Sequence, residues 1–168
     1  MQKTQAVYPG TFDPPTVGHL WMIRRGAELF GNLTVAIGTN PNKHCLFLVE
    51  ERLDMLNRAT GRFHNIRIDS FTNKFLMAYA KSVGAQFVLR GIRNATDFEY
   101  ERTLRNINED MNPGITTVFL VPPRDIAEVS SSMVKSLIGP EGWEPIVTKY
   151  VPPEVFESIA KVNYAKVH

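Results

Sequence analysis

The sequence lacks several features that would place it in a class at once. It has one cysteine, Cys45, among 168 residues, so no disulfide can form within the chain and a reducing intracellular setting is expected. The start of the chain has no apolar stretch typical of a secretory signal. No apolar run approaches the ~18 residues of a membrane helix. These absences predict a soluble cytoplasmic protein without a membrane partner.

An excess of charge of one sign is also missing. Lysine and arginine number 19 and aspartate and glutamate 17, which gives a formal charge of +2. This balance argues against a nucleic-acid or membrane surface but is compatible with a local anion site. The length is close to one domain of roughly 150 residues, so we expect residues 1–168 to form a single domain.

The common catalytic signatures are absent as well. The sequence contains neither Gly-x-x-x-x-Gly-Lys-Ser/Thr nor Gly-x-Gly-x-x-Gly, which excludes the usual phosphate loops of kinases and dehydrogenases. The lack of a Gly-x-Ser-x-Gly elbow argues against a serine hydrolase. Because the single cysteine and the four histidines form no paired cluster with the spacing of metal ligands, no zinc site is expected.

Short apolar runs alternate with longer segments of helical periodicity, which predicts an α/β fold with a parallel sheet. Strands are predicted at residues 5–8, 33–37, 66–68, 87–89 and 116–121. Helices are predicted from a Thr16 cap to about Gly31, over 49–60 and 75–83, from a Thr96–Glu99 capping box to 111, over 130–137, and from about 153 at the C-terminus.

Polar groups follow several of these strands. In a parallel α/β sheet, ligands bind at the carboxyl ends of the strands. Thr11, Lys43 and Arg90 follow predicted strands, and the serines at 130–132 open a helix. We therefore expect these groups to converge on one rim, although a lone loop lysine such as Lys43 is more often simply exposed to solvent.

Residues 8–19, Tyr-Pro-Gly-Thr-Phe-Asp-Pro-Pro-Thr-Val-Gly-His, carry the strongest local signal. Gly10 permits unusual backbone angles in the turn, and a Thr16 cap leaves His19 in the first turn of the helix. Free N–H groups and the helix dipole favour an anion there, with Thr11 and His19 as hydrogen-bond donors to a phosphate. The alternative is a tight turn with a satisfied histidine.

Three further segments carry polar groups that suit a nucleotide. Arg90-Gly91-Ile92-Arg93 offers guanidinium groups suited to bidentate phosphate recognition. In Asp97-Phe98-Glu99-Tyr100-Glu101, Glu101 is available to accept hydrogen bonds from a sugar or base. Ser130-Ser131-Ser132 offers hydroxyl and N–H donors for a polyphosphate. Each also has a purely structural interpretation, as a solvated face, a helix start and an N-cap respectively.

Taken in order, the motifs resemble one family. Thr16–His19 is similar to the Thr-x-Gly-His variant of a nucleotidyltransferase superfamily signature, and Ser130–Ser132 to that superfamily's second signature. With the Tyr-Pro-Gly-Thr-Phe-Asp-Pro opening, Arg-Gly-Ile-Arg and Asp-Phe-Glu-Tyr-Glu, residues 5–160 resemble the bacterial phosphopantetheine adenylyltransferases. The resemblance implies a Rossmann-like five-stranded parallel sheet with helices on both faces, and a homohexamer.

The resemblance also implies a reaction. ATP and 4′-phosphopantetheine would give dephospho-coenzyme A and pyrophosphate in coenzyme A biosynthesis, with Mg2+, by direct in-line attack and without a covalent intermediate. This agrees with a sequence that offers anion binders and no obvious nucleophile. The sequence has no dedicated acidic cluster for the metal, so Mg2+ is expected to arrive with ATP.

Residue roles follow from the resemblance by position. His19 would stabilise charge on the α-phosphate, Thr11 would orient the attacking phosphate, Lys43 would neutralise phosphate, and Arg90 would hold the acceptor. Thr11, Lys43 and Arg90 would also bind phosphopantetheine, whose arm would meet Leu76. The nucleotide would lie against a larger set: Thr11, Phe12, His19, Gly91, Ile92, Arg93, Glu101, Ile126, Ala127, Glu128, Val129, Ser130, Ser131 and Ser132.

Three positions depart from the family's common pattern. Val17 stands where Asn is frequent, Leu48 where a capping Thr is frequent, and Ile126 where an aromatic is frequent. None removes a proposed catalytic group, but an uncapped helix at Leu48 would cost about 1 kcal/mol.

Three other functions remain open. One is a related nucleotidyltransferase that uses nicotinamide mononucleotide, glycerol phosphate or phosphocholine. Another is a nucleotide sensor without catalysis, and the third is a nucleic-acid-binding module, which the near-neutral charge opposes.

Overall fold

The five predicted strands form one parallel sheet in a computed structural model that describes residues 4–39 and 44–162. The strand order is β3-β2-β1-β4-β5, and every neighbouring pair is parallel. The expected fold class is thereby confirmed. The strands are β1 (Gln5–Gly10), β2 (Asn32–Thr39), β3 (Ile66–Thr72), β4 (Phe87–Gly91) and β5 (Thr116–Leu120).

The order of the strands creates a switch point. From β1 the chain moves outward through β2 to β3, then returns to place β4 on the other side of β1. The loops that follow β1 and β4 therefore diverge over opposite faces of the sheet. A crevice opens between them at the carboxyl ends of the strands, where ligands bind in this class of fold.

Eight described helices accompany the sheet, and none is long and apolar enough to cross a membrane. Two of them, α5 and α7, were not predicted, because four residues are too few for a periodic pattern. The helices are α1 (Val17–Leu29), α2 (Val49–Thr60), α3 (Leu76–Ser82), α4 (Ala95–Met111), α5 (Arg124–Ala127), α6 (Ser131–Leu137), α7 (Glu144–Val147) and α8 (Pro153–Ile159).

Successive side chains of β1 point to opposite faces of the sheet and pack in two different cores, as the pleat of a strand requires. Ala6 and Tyr8 face the core that α1 and α2 cover, whereas Val7 faces the core that α3 covers. A third apolar cluster joins α2 to the C-terminal helices through residues such as Met55 and Val155. Helices thus cover both faces of the sheet.

A glycine sets the distance between α1 and the sheet. A Cβ atom at Gly26 would lie 2.9 Å from side-chain atoms of both Leu33 and Leu89, closer than packed carbon atoms can approach. The C-terminal half of the helix therefore packs directly on Leu33 of β2 and Leu89 of β4.

Strand β1 runs two residues further than predicted, through Pro9 to Gly10. Proline was expected to end the strand because it lacks an N–H donor. However, β1 pairs with β4 only at Ala6 and Val7, so one side of β1 is open beyond Val7. A residue without an N–H is tolerated there, while pairing with β2 continues as far as Gly10.

The predicted start of α4 was also wrong. Asn94, not Thr96, is the N-cap, and its side chain accepts a hydrogen bond from the N–H of Asp97 at 2.9 Å. Thr96 consequently lies inside the first turn. Glu99 takes no part in a capping box and instead forms an exposed ion pair with Arg102.

Candidate active site

A cavity of about 530 Å³ opens at the switch point, over the carboxyl ends of β1 and β4. Groups from the loop after β1, the first turn of α1, the end of β4, helix α4 and the start of α6 meet there. Its lining consists of Tyr8, Pro9, Gly10, Thr11, Thr16, Gly18, His19, Met22, Gly38, Arg90, Gly91, Arg93, Tyr100, Glu101, Pro122, Ile126, Val129, Ser130 and Ser131.

The loop after β1 turns sharply at its start. Phe12 has a positive φ of 50°, and its ring is buried directly over Gly10. A Cβ atom at Gly10 would lie 2.7 Å from that ring, so only glycine lets the loop fold back over the strand. The Phe12 ring packs edge-on against His19, with 5.0 Å between centroids.

Two buried charges hold this loop in place. Arg52 of α2 donates from Nη1 to the carbonyl of Thr11 at 2.7 Å. The carboxylate of Asp13 accepts hydrogen bonds from the N–H groups of Leu46 and Phe47, both at 2.9 Å, and pairs with Lys135 at 2.8 Å. Asp13 therefore ties the β1 loop to the segment before α2 and to α6.

The geometry of His19 fixes its tautomer. Its Nδ1 accepts a hydrogen bond from the N–H of Thr16 at 3.0 Å, while Thr16 caps the helix. An N–H can only donate, so in the neutral ring the proton is on Nε2. Burial, together with the charge of Arg93, lowers the pKa of His19 to about 4. At neutral pH the ring is therefore an uncharged Nε2–H donor at the cavity wall.

The first turn of α1 adds a backbone donor. Val17 donates its N–H to the carbonyl of Tyr150 at 2.9 Å, and His19 donates its own to Thr16 Oγ1 at 3.4 Å. Among the described residues, the N–H of Gly18 has no acceptor, and Gly18 lines the cavity. An anion in the cavity would satisfy this group at the positive end of the helix dipole.

Arg90 and Glu101 form a paired guanidinium and carboxylate. Arg90 Nε donates to Glu101 Oε2 at 2.7 Å, and Nη2 donates to Oε1. Burial by itself would lower the pKa of Arg90, but the hydrogen bonds and charge of Glu101 raise it above its usual value. Within residues 4–39 and 44–162, Nη1 of Arg90 has no hydrogen-bond acceptor, so it can bind a ligand.

Glu101 was expected to accept hydrogen bonds from a sugar or base. In the structure it lines the cavity, but both of its carboxylate oxygens are engaged by Arg90. Its position in α4, eleven residues after Arg90, brings it back over the end of β4. It therefore orients the arginine that lies beside it.

Arg93 is the second cation of the cavity. Its Nε donates to Asp97 at 2.7 Å, and its side chain is 40% exposed. The hydrogen bond to Asp97 raises the pKa of Arg93, and the same bond lowers the pKa of Asp97. The guanidinium thus stays charged at the mouth of the cavity.

The three serines do not act alike. Ser130 is the N-cap of α6 and accepts from the N–H of Met133 at 3.1 Å. Ser131 donates its hydroxyl to the carbonyl of Pro14 at 2.8 Å. Ser130 and Ser131 line the cavity, whereas Ser132 is exposed outside it. Two hydroxyls that were expected to meet phosphate are thus engaged within the protein.

Most of the predicted nucleotide contacts meet at the cavity, and some do not. Phe12 and Ile92 are buried beneath it, and the N–H of Ile92 bonds to Leu120. Lys43 lies outside the described residues. The predicted residues that do not line this cavity are Phe12, Leu76, Ile92, Ala127, Glu128 and Ser132, and those that do are Thr11, His19, Arg90, Gly91, Arg93, Glu101, Ile126, Val129, Ser130 and Ser131.

Sequence reasoning missed the residues that support the site, and two of them left a signal. Arg52 shares the buried stripe of α2 with Met55 and Leu56. A charged residue on an apolar helical stripe requires a buried partner. Lys135 follows Ser131 by one helical turn and so shares its face, towards the β1 loop.

A second cavity, of about 430 Å³, adjoins the first and shares Thr11 and Gly38 with it. Leu48 lines it and is the N-cap of α2. The leucine side chain has no atom that can accept a hydrogen bond, so only one of the two bonds of a capping box forms. In that bond, Glu51 accepts from the N–H of Leu48 at 2.7 Å. The remaining lining residues are Thr39, His44, Cys45, Phe47, Val49, Arg52 and Thr72.

The first cavity is suited to anion binding rather than to covalent chemistry. Its donors are the neutral Nε2–H of His19, the guanidinium groups of Arg90 and Arg93, and the N–H of Gly18. Within residues 4–39 and 44–162, no three His, Cys, Asp or Glu side chains are grouped to hold a metal ion. The arrangement can orient phosphate groups and stabilise charge that develops on them.

Comparison with known proteins agrees with this geometry. Residues 7–137 match the model of the cytidylyltransferase-like family. A protein of Chromobacterium violaceum named phosphopantetheine adenylyltransferase is 57% identical over 155 residues, which cover 92% of this chain and 94% of that protein. One of the same name from Neisseria meningitidis is also 57% identical, with coverage of 92% and 91%.

A solved structure is similar in fold. Plasmodium falciparum nicotinic acid mononucleotide adenylyltransferase, complexed with NaAD, matches with a TM-score of 0.70 over 99% of both chains. Its sequence identity of 17% bears on the fold alone. From the family match and the 57% identical relatives, we conclude that the chain belongs to the phosphopantetheine adenylyltransferase family of cytidylyltransferase-like proteins.

Proposed function

We propose that this protein transfers the adenylyl group of ATP to 4′-phosphopantetheine, giving dephospho-coenzyme A and pyrophosphate. The observation that carries the proposal is the cavity in which Arg90, Arg93 and Nε2 of His19 meet. Relatives named for this activity, 57% identical to the chain over 155 residues, support phosphopantetheine as the acceptor.

The chemistry needs positioning and charge stabilisation. An oxygen of the acceptor phosphate attacks the α-phosphorus of ATP in line. The bond from that phosphorus to the oxygen it shares with the β-phosphate breaks, and pyrophosphate leaves. Negative charge grows on the α-phosphoryl oxygens, where the Nε2–H of His19 donates a hydrogen bond without first changing its protonation state.

The acceptor phosphate lies beside Arg90 in this proposal, with Thr11 next to it. From Thr11 the pantetheine arm extends into the second cavity, which shares Thr11 with the first. Leu76 lines neither cavity and stays a predicted contact of the arm. Lys43 likewise stays a predicted phosphate contact.

Magnesium enters as part of the MgATP substrate. The donors of the cavity suit phosphate oxygens, and the carboxylate of Glu101 is engaged by Arg90. Mg2+ keeps several waters and binds substrate phosphates in sites of this type. The homohexamer and the cytoplasmic location stay predictions from the sequence.

The test is pyrophosphate release with MgATP and each of three acceptors. We expect release with 4′-phosphopantetheine and none above background with nicotinamide mononucleotide or phosphocholine. Release with one of the other acceptors alone would keep the fold and the transfer chemistry but replace the substrate. ATP binding without pyrophosphate release for any acceptor would favour the alternative of a nucleotide sensor without catalysis.

A further inference from the structure

Tyr8 stands out among the residues of the first cavity, because the roles proposed above do not use it. It is 7% exposed, and it lines the cavity. Its ring packs edge-on against Phe12, with 5.5 Å between centroids, and Phe12 in turn packs against His19. These contacts hold the tyrosine ring in a single direction beside the proposed reaction centre.

The hydroxyl of Tyr8 has no hydrogen-bond partner within residues 4–39 and 44–162. No buried side-chain oxygen or nitrogen in that part of the chain is both fully covered and unpaired. The unpaired hydroxyl must therefore be the part of the residue that reaches open space, and the space that Tyr8 lines is the cavity. An unpaired hydroxyl on a side chain that is otherwise buried needs a partner from a ligand or water.

The charges around Tyr8 indicate the kind of ligand. Tyr8 and Arg90 lie on the neighbouring strands β1 and β4, and both line the cavity at the carboxyl ends of these strands. Burial raises the pKa of Tyr8, with smaller effects from Arg90, Arg93 and Glu101. The group therefore stays protonated and acts as a donor.

We propose that the Tyr8 hydroxyl donates a hydrogen bond to a phosphoryl oxygen of the acceptor substrate, the same phosphate that Arg90 holds. This rests on the proposed function. Tyr8 is then a further binding residue of that reaction, and a donor that carries no charge of its own. The hydrogen bond from Tyr8 forms as soon as the acceptor binds, so it stabilises the bound substrate and the transition state equally.

The experiment compares Tyr8→Phe with Tyr79→Phe. Tyr79 is also buried, but it lies outside both cavities and its hydroxyl donates to Asp69 at 2.9 Å. Tyr8→Phe removes no bond within the described protein, so its urea midpoint should match the wild type. Tyr79→Phe should unfold at lower urea and keep wild-type kinetics.

We expect Tyr8→Phe to raise KM for 4′-phosphopantetheine about tenfold, which is the loss of one hydrogen bond to a charged group. Values of kcat and KM for ATP should stay within about twofold of the wild type. In calorimetric titrations, affinity for 4′-phosphopantetheine should fall about tenfold, while affinity for pantetheine, which lacks the phosphate, should not change.

Three results would overturn the inference. These are unchanged kinetics, a rise in KM for ATP instead of the acceptor, and an equal loss of affinity for pantetheine. A wild-type protein that releases no pyrophosphate with 4′-phosphopantetheine would instead overturn the proposed function, so the two failures are distinguishable.

Discussion

The ion pair between Arg90 and Glu101 allows a quantitative test of how the site is held. The side chain of Glu101 is 10% exposed and that of Arg90 25%. Glu101→Gln keeps the shape but replaces the carboxylate with an amide that has one acceptor oxygen. Arg90 then loses one of two charge-assisted hydrogen bonds and the charge that compensates its own.

The magnitude follows from the exposure of the pair. Breaking a fully buried pair costs about 3–5 kcal/mol, and a lost bond to a charged group costs about 1.5–3 kcal/mol. Because Arg90 is a quarter exposed, water recovers part of this cost. We therefore expect Glu101→Gln to lower the free energy of unfolding by about 1–3 kcal/mol.

A matched control lies two residues earlier on the same helix. Glu99 pairs with Arg102 at 2.7 Å, but their side chains are 64% and 57% exposed. Exposed helical pairs of this kind are worth about 0.3–0.5 kcal/mol, so Glu99→Gln should change the free energy of unfolding by no more than that.

Urea unfolding measures the free energy of unfolding of both variants, and an unchanged m-value would show that two-state behaviour is kept. Arg90→Met combined with Glu101→Gln should be more stable than Glu101→Gln alone, because the uncompensated charge is gone. The reasoning is refuted if Glu101→Gln and Glu99→Gln lower the midpoint equally, or if adding Arg90→Met recovers nothing.

Two more predictions concern His19 and Lys135. Nitrogen NMR shifts of the His19 ring should show an Nε2–H tautomer that titrates near pH 4. The unfolded chain takes up that proton first, so the free energy of unfolding should fall as pH drops from 6.5 towards 4; a midpoint near 6.5 contradicts this. Lys135→Met should cost about 1–3 kcal/mol in urea unfolding, because Asp13, 3% exposed, loses its cation but keeps two N–H donors. An unchanged urea midpoint would show that Asp13 does not need the lysine.

Local patterns were sufficient for much of the fold. Helix α2 was predicted over residues 49–60 and has those bounds, because its charged and apolar residues alternate with clear helical spacing. The predicted cap at Thr16 is also confirmed. At α4 the local pattern misled, since both Asn94 and Thr96 can cap a helix and only the path of the chain after β4 selects between them.

The paired charges around the site could not be predicted in this way. Asp13 meets Lys135, which is 122 residues away in the sequence, and Thr11 meets Arg52, which is 41 residues away. No local pattern couples such positions. The role of Tyr8 could not be predicted either, because its neighbours in the sequence indicate only an ordinary strand residue.

The sequence by itself determined the class of fold, the start of α1 at Thr16 and the set of polar groups at the ends of the strands. These depend on periodicity, capping and strand alternation, which act over a few residues. The tertiary structure decided which of those groups face the cavity, which are occupied by partners within the protein, and which proton His19 carries. Those properties depend on burial and on contacts between distant segments, and only the folded chain supplies them.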